Sequence, residues 1–398
     1  MRLGGDRKIY IQLVGLLLLT GLVLFVGWRL ATYNYSLQPQ LVLAQERTQT
    51  EDVRLDWPSY GQSAIAIEGL GAVETFGEEE VHPTASMAKI ITMMAVLEKK
   101  PLKLGEAGPI ITLTQADVAS YNDYIARNGS NTPVYAGLEL TQYQAIQSVL
   151  LPSSNNMADT LAVWAFGSID NYHQYANIMV DNLGASQTTI AGDASGLSPK
   201  TTSTASDMAK IALKALENPV LAEIVAQPAA DVPYAGTIRN SNRLLSNPEI
   251  IGVKTGETVE AGGNFMLGAD FTIGQKSRKV AVVVMGADVS PTAQADSLRL
   301  YNSTKPYIRY QEIVKKDELV ANYQTPWGEI VAARATGSIW DWTWRNQHQN
   351  LDIDLDFIAK ETETTRVGEV KLGESSTLVE LDKLPNPPIL WKVLPFVF

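Results

Sequence analysis

The stretch Pro83-Thr84-Ala85-Ser86-Met87-Ala88-Lys89-Ile90-Ile91-Thr92 constrains the fold of this chain more than any other. Past Lys89 the apolar residues Ile90, Ile91, Met93, Met94, Val96 and Leu97 come so densely that a helix opening near Ala85 must be buried almost all round. Side chains at i and i+3 share a helix face, so Ser86 and Lys89 meet inside that helix's wrapping. A buried ammonium near the positive end of a helix loses proton affinity, and a lysine that is neutral part of the time can take the proton of a serine hydroxyl. Taken singly, the spacing also arises by chance, with Ser86 a first-turn serine and Lys89 a surface lysine.

Two later elements change those odds. Ser153-Ser154-Asn155 follows the apolar run Val149-Leu150-Leu151, and Lys254-Thr255-Gly256 closes the run Ile250-Ile251-Gly252-Val253. Ser-x-x-Lys, Ser-x-Asn and Lys-Thr-Gly, in that order, form the set used by penicillin-binding proteins and class A β-lactamases. Composition narrows the chemistry further. The chain has no cysteine, which excludes disulfides, thiolate metal sites and a cysteine nucleophile. Its 3 histidines, His82, His173 and His348, are too scattered for a histidine metal site or a Ser-His-Asp triad, which favours a serine enzyme with a lysine base. A formal charge of -11 argues against nucleic acid as a partner. At 398 residues, with 45% hydrophobic and 19% charged residues, a folded chain of two domains is expected.

From the N-terminus, Arg2, Arg7 and Lys8 precede the apolar span Ile9 to Trp28. Such a length crosses a bilayer as a helix, and the flanking basic residues place the N-terminus in the cytoplasm and the rest outside. A cleaved signal peptide is the rival, but Gly27-Trp28-Arg29-Leu30-Ala31 offers no small-x-small site. The expected division is 1-8 cytoplasmic, 9-28 a single-pass signal anchor, 29-58 a polar linker, 59-310 the catalytic domain, 311-384 a small β-domain and 385-398 an apolar tail.

Ser63 to Glu68 and Ala72 to Phe76 read as a hairpin turning at Gly69-Leu70-Gly71. Thr141-x-x-Gln144 reads as a capping box opening a helix to Leu151, with further helices over Met157 to Phe166 and from the cap Ser168 towards Gly184. Later strands at Glu249-Val253, Asn264-Phe271 and Val280-Gly286 would pair with the hairpin. The fold class is therefore mixed α+β: an antiparallel sheet flanked by helices, with a helical subdomain and a small C-terminal all-β domain.

Residues 60 to 305 resemble the serine-type D-alanyl-D-alanine carboxypeptidases, the low-molecular-mass penicillin-binding proteins. Beyond the three motifs the likeness rests on Asp193-Ala194-Ser195-Gly196-Leu197, Ser203-Thr204-Ala205-Ser206-Asp207-Met208-Ala209 and Asn240-Ser241-Asn242-Arg243-Leu244-Leu245, in the order that family shows. The resemblance implies a DD-peptidase/β-lactamase-like fold and a nucleophilic Ser86 with Lys89 as its base. It implies a proton-relaying hydroxyl on Ser153 and a substrate-holding amide on Asn155. Lys254, at the end of an edge strand, and Thr255 would bind the substrate's carboxylate, and Gly256 would leave room for the substrate. The backbone amides of Ser86 and Glu257 would form the oxyanion hole. The implied partners are peptidoglycan stem peptides ending in D-Ala-D-Ala, with β-lactams as covalent inhibitors and the membrane as anchor; the resemblance calls for no cofactor and no metal.

The chain departs from the family in two places. Asn156 stands where many relatives have Asp, which reads as a helix-capping change, and Ala287 to Gln294 lacks the arginine that relatives often carry there. A DD-endopeptidase is an alternative. So is a β-lactamase, although no Glu-x-x-x-Asn loop falls between 156 and 253 and Glu217 and Glu223 read as solvated helix residues. A non-catalytic wall-binding scaffold is the alternative of another class, which Ser86→Ala would separate by labelling with a fluorescent penicillin.

Beyond residue 311 the pattern is of strands. Trp340, Trp342 and Trp344 share a face that reads as core or interface in preference to a sugar platform. Asp352, Asp354 and Asp356 read as a solvated strand face, since they lack the glycine and glutamate of a calcium loop. The apolar tail from Pro385 suggests a weak second membrane contact, although Pro395 disfavours a stable interfacial helix.

Overall fold

The computed structural model describes residues 5–44, 52–345 and 350–397. Arg2, the polar run Gln45 to Thr50 and His348 lie outside the described residues. The chain divides into two compact units, one of Asp52–Ile308 and one combining Met1–Glu51 with Arg309–Phe398.

At the N-terminus, α1 (Gly5–Thr32) is the one helix among the described residues long and apolar enough to cross a membrane. The Asp52–Ile308 unit is built on a five-stranded antiparallel sheet. Its strands are β1 (Gln62–Ile67), β2 (Gly71–Phe76), β3 (Ile250–Thr258), β4 (Gly262–Ile273) and β5 (Lys276–Ala287), in the order β3-β4-β5-β1-β2. Every residue of β1 is buried, so both faces of the sheet are covered there. This explains why the expected alternation gives way to a run of small and branched apolar residues.

Between the two strand groups lie α2 (Ala88–Lys99), α3 (Gln115–Ala126), α4 (Gln142–Leu150), α5 (Asn155–Phe166) and α6 (Ile169–Asn182). The Thr141 capping box opens α4, and Ser168 caps α6 through the Asn171 amide. Helix α2 is buried from Ala88 to Met93 and packs on α4, α5 and α6, the wrapping its all-round apolarity demands. Helices α7 (Ala205–Glu217) and α9 (Ser290–Thr304) pack on the sheet, with α8 (Pro219–Val225) between them in sequence.

The other unit has its own core, in which Val320, Tyr323, Val370 and Val379 are fully buried. Here the linker reading needs correction. Residues 36–41 are strands of this unit: Ser36–Leu37 pairs with Ile358–Ala359, and Pro39–Leu41 forms the edge of a six-stranded sheet beside Leu319–Gln324. Leu37 and Leu43 sit in the core at 2% and 5% exposure. What a polar segment lacks in hydrophobic period it makes up through backbone pairing, and an edge position tolerates Pro39.

The tryptophans do not form an even row either. Trp342 and Trp344 are buried, while Trp340 is 48% exposed and stacks on Tyr310. Asp352, Asp354 and Asp356 are exposed. In the tail, α10 (Ile389–Val393) buries Trp391 edge-on against Trp327, and the Val393 carbonyl accepts a bond from Arg29 Nε at 3.3 Å. Ile389, Leu390 and Phe396 remain exposed.

Candidate active site

Ser86 sits in a single 3-10 turn, Ala85–Met87, that runs directly into α2. Ala85 has φ +47°, in the left-handed region where a side chain is strained, and Ser153 has φ +65°. Both departures lie next to residues singled out from sequence. Gly196, itself at φ +75°, lets the 193–197 loop lie on the turn, since a Cβ there would meet the Ala85 carbonyl oxygen at 2.1 Å.

Lys89 is fully buried and its Nζ contacts Ser86 Oγ at 2.7 Å, Asn155 Oδ1 at 2.7 Å and the Ser195 carbonyl oxygen at 2.8 Å. The last two partners can only accept hydrogen bonds. A neutral amine satisfies both with its two N–H groups and turns its lone pair to Ser86, so the serine bond is the one whose direction can reverse. Burial lowers the Lys89 pKa to about 7, opposed by the charges of Asp193 and then Asp159. The i,i+3 geometry read from sequence thus holds. The third partner, Ser195, was visible in the sequence only as a member of the Asp193–Leu197 segment, without a role.

Asn155 opens α5, and its amide accepts no role in capping; Ser154 is the N-cap residue. Asn156 is no helix cap. Its Oδ1 accepts bonds from the Thr132 amide at 3.1 Å and Ser154 Oγ at 2.6 Å, while its Nδ2 donates to the Thr132 carbonyl at 3.1 Å. It therefore pins the 130–132 loop beside the Ser-x-Asn turn. The buried Ser153 Oγ, on the cleft wall, has no hydrogen-bond partner among the described residues.

Lys254-Thr255-Gly256 lies inside the edge strand β3, not at its end, with Lys254 opposite Met266 and Gly256 opposite Asn264. Lys254 is fully buried. Its Nζ donates to the Thr255 carbonyl at 3.1 Å and to Thr255 Oγ1 at 3.3 Å. Burial, and then repulsion from Lys89, push its pKa well down. Thr255 Oγ1 also bonds Ser241 Oγ at 2.6 Å. The glycine, which lines the cleft, also lets the strand approach the nucleophile's turn: a Cβ on Gly256 would lie 2.9 Å from the Thr84 carbonyl oxygen and 3.2 Å from the Ser86 amide nitrogen. Strand β3 and the Ser86 amide are therefore in close apposition, the arrangement two converging backbone donors require. Glu257 accepts a bond from the Ser290 amide at 2.7 Å, at the start of α9.

Ser86, Ser153, Thr255, Gly256 and Glu257 line one cleft of about 610 Å³, together with Ser130, Asn240 and Arg243. Arg243 was quoted from sequence only within the Asn240–Leu245 segment. Its backbone amide bonds Gln294 Oε1 at 2.8 Å, which aligns it with the start of α9, the region that lacks an arginine of its own.

Residues 62–289 match the profile of a family described as D-alanyl-D-alanine carboxypeptidase. The chain is 32% identical over 191 residues to a D-alanyl-D-alanine carboxypeptidase of Mycobacterium tuberculosis, an alignment covering 46% of this chain and 61% of that relative, less than two thirds of its length. It is 29% identical over 248 residues to a D-alanyl-D-alanine endopeptidase of Pseudomonas aeruginosa, covering 60% of this chain and 75% of that one. The solved Streptomyces K15 DD-transpeptidase superposes with a TM-score of 0.54 at 23% identity, over 64% of this chain and 98% of that chain, a likeness of fold.

Proposed function

Because the chain belongs to the D-alanyl-D-alanine carboxypeptidase family, we propose that it removes the terminal D-alanine from peptidoglycan stem peptides through an acyl-enzyme on Ser86. The observation that carries this reading is the buried Lys89 amine, 2.7 Å from Ser86 Oγ and held on its other sides by two acceptors. Ser86 Oγ attacks the carbonyl carbon between the two D-alanines as its proton passes to Lys89. The oxyanion is received by the Ser86 and Glu257 amides, each worth about 10²–10³ in rate. When the C–N bond breaks, the departing amine takes a proton through the Ser153 hydroxyl. Water then releases the shortened peptide from Ser86.

Thr255, Lys254 and Arg243 meet the terminal carboxylate, whose charge draws the proton back to Lys254 against the cost of burial and the repulsion from Lys89. Arg243 thereby does the work of the cation missing from Ala287 to Gln294. A β-lactam presents the same acyl group and carboxylate but leaves a slowly hydrolysed acyl-enzyme, making it a covalent inhibitor. Helix α1 anchors the protein in the cell membrane, and Arg7 and Lys8 before its apolar span put the catalytic unit on the extracytoplasmic side.

Endopeptidase activity is the second reading, favoured by the likeness to an enzyme of that name. Incubating the detergent-solubilised protein with a D-Ala-D-Ala pentapeptide and, separately, with cross-linked peptide dimers separates them by mass. Loss of one alanine from the pentapeptide is the expected result; conversion of dimers to monomers with the pentapeptide intact would replace it with the second reading.

A further inference from the structure

Near the lysine lies a half-buried acid that no sequence motif contains. Asp159 stands one helical turn after Asn155 on α5. Its Oδ2 accepts a bond from the Tyr124 hydroxyl of α3 at 2.7 Å, and its Oδ1 accepts one from the Ala194 amide at 2.9 Å. Ala194 immediately precedes the residue whose carbonyl receives Lys89 Nζ. We propose that Asp159, held by Tyr124, is a positioning residue for Lys89: it fixes the Ala194–Ser195 backbone that accepts from the amine and supplies a half-buried negative charge near it.

The reading of Ser86 and Lys89 as nucleophile and base is assumed here. Several elements besides α2 present charged or titratable groups to this pocket. Tyr124 comes from α3, Asp159 and the neutral Asn155 from α5, and Asp193 from the loop before Ser195. Lys254, whose proton affinity burial and then Lys89 push well down, comes from β3, and Tyr172 of α6 bonds Thr92 Oγ1 on α2. Asp193 is committed to its own loop, accepting from the amides of Ser195, Leu197 and Ser198. Asp159 is the acid that joins the loop to the helix carrying Asn155. Burial raises the Asp159 pKa to about 6, while the Tyr124 and Ala194 bonds oppose the rise, so it is ionised in the range where Lys89 exchanges its proton. Its charge favours the ammonium form of Lys89 and so delays the appearance of the base as pH rises.

The test is the rate of acylation by a fluorescent penicillin, followed from pH 5 to 9 on the full-length protein. In the unmodified protein the rate should fall as pH drops through about 7. Asp159→Asn removes the charge and keeps the shape, so the acid limb should move about one unit to lower pH, with the plateau reduced several-fold by the looser Ser195 carbonyl. Asp159→Glu restores the charge and should return the limb towards its original position. Tyr124→Phe, which leaves Asp159 in place but easier to protonate, should move the limb in the same direction by less, and serves if the Asp159 variants do not fold. An unmoved limb in Asp159→Asn, or in Tyr124→Phe where that is the variant measured, overturns the proposal while leaving the nucleophile assignment standing. Failure of the unmodified protein to label at all overturns both.

Discussion

The two lysines buried in the catalytic unit are held in opposite ways. Lys89, on a helix, has every bonding direction filled by Ser86, Asn155 and Ser195. Lys254, on an edge strand, reaches among the described residues only its neighbour Thr255, at 3.1 and 3.3 Å. Both lose proton affinity to burial, but only Lys254 is depressed further by the other. A filled shell suits a group that must move one proton along one bond. An open shell suits a group that waits for a charged ligand to complete it.

The sharpest way to break this contrast is at Lys89. Lys89→Met should lower penicillin acylation by about 10²–10⁴, the range for loss of a general base. The same change leaves Asn155 Oδ1 and the Ser195 carbonyl without this donor but removes an amine that resists charging, so its effect on thermal stability should depend on pH. The sign follows from the lowered pKa: between about 7 and its ordinary value the unfolded chain holds the Lys89 proton and the folded chain does not, so stability from this group rises with pH across that window. The stability of Lys89→Met relative to the unmodified protein should therefore improve as pH falls towards 7, and a melting-temperature difference that did not move that way would put the burial argument in doubt.

A smaller effect is expected where the strand meets the nucleophile. Gly256→Ala places a methyl against the Thr84 carbonyl and the Ser86 amide, and about 1 Å of misplacement should slow acylation roughly 10²-fold. Normal rates would mean that β3 does not brace the turn. The smallest loss belongs to the open shell. Arg243→Gln should reduce kcat/KM for a D-Ala-D-Ala peptide about tenfold, in keeping with one charged hydrogen bond, and leave the much slower turnover of its C-terminal amide unchanged. Equal losses on both substrates would remove Arg243 from carboxylate recognition.

How much could be read beforehand follows the range of each interaction. The Thr141 and Ser168 caps and the Ser86–Lys89 pairing were legible because their partners lie three or four residues away. The strand at Pro39–Leu41 was not, because it is defined by pairing with Leu319–Gln324, far along the chain and without a hydrophobic period of its own. Asn156 was misread as a cap because its partner, Thr132, is brought to it by the folding of the 122–133 connection. The contact of Gly256 with the Ser86 turn was not legible, because nothing local reveals that the turn lies against it.

The amino-acid order alone determined that a serine and a lysine would share the face of a buried helix, that an acid-base serine chemistry was available, and that helices would cover an antiparallel sheet. Helical and strand periods are properties of the backbone, so they are written wherever the side chains repeat. Only the packed fold decided which carbonyl closes the shell around Lys89, that Asp159 holds the backbone beside it, that Arg243 reaches the cleft, and that the stretch after the N-terminal apolar helix joins the C-terminal sheet. Those contacts join segments distant along the chain, and no local pattern encodes a partner that arrives by way of the whole core.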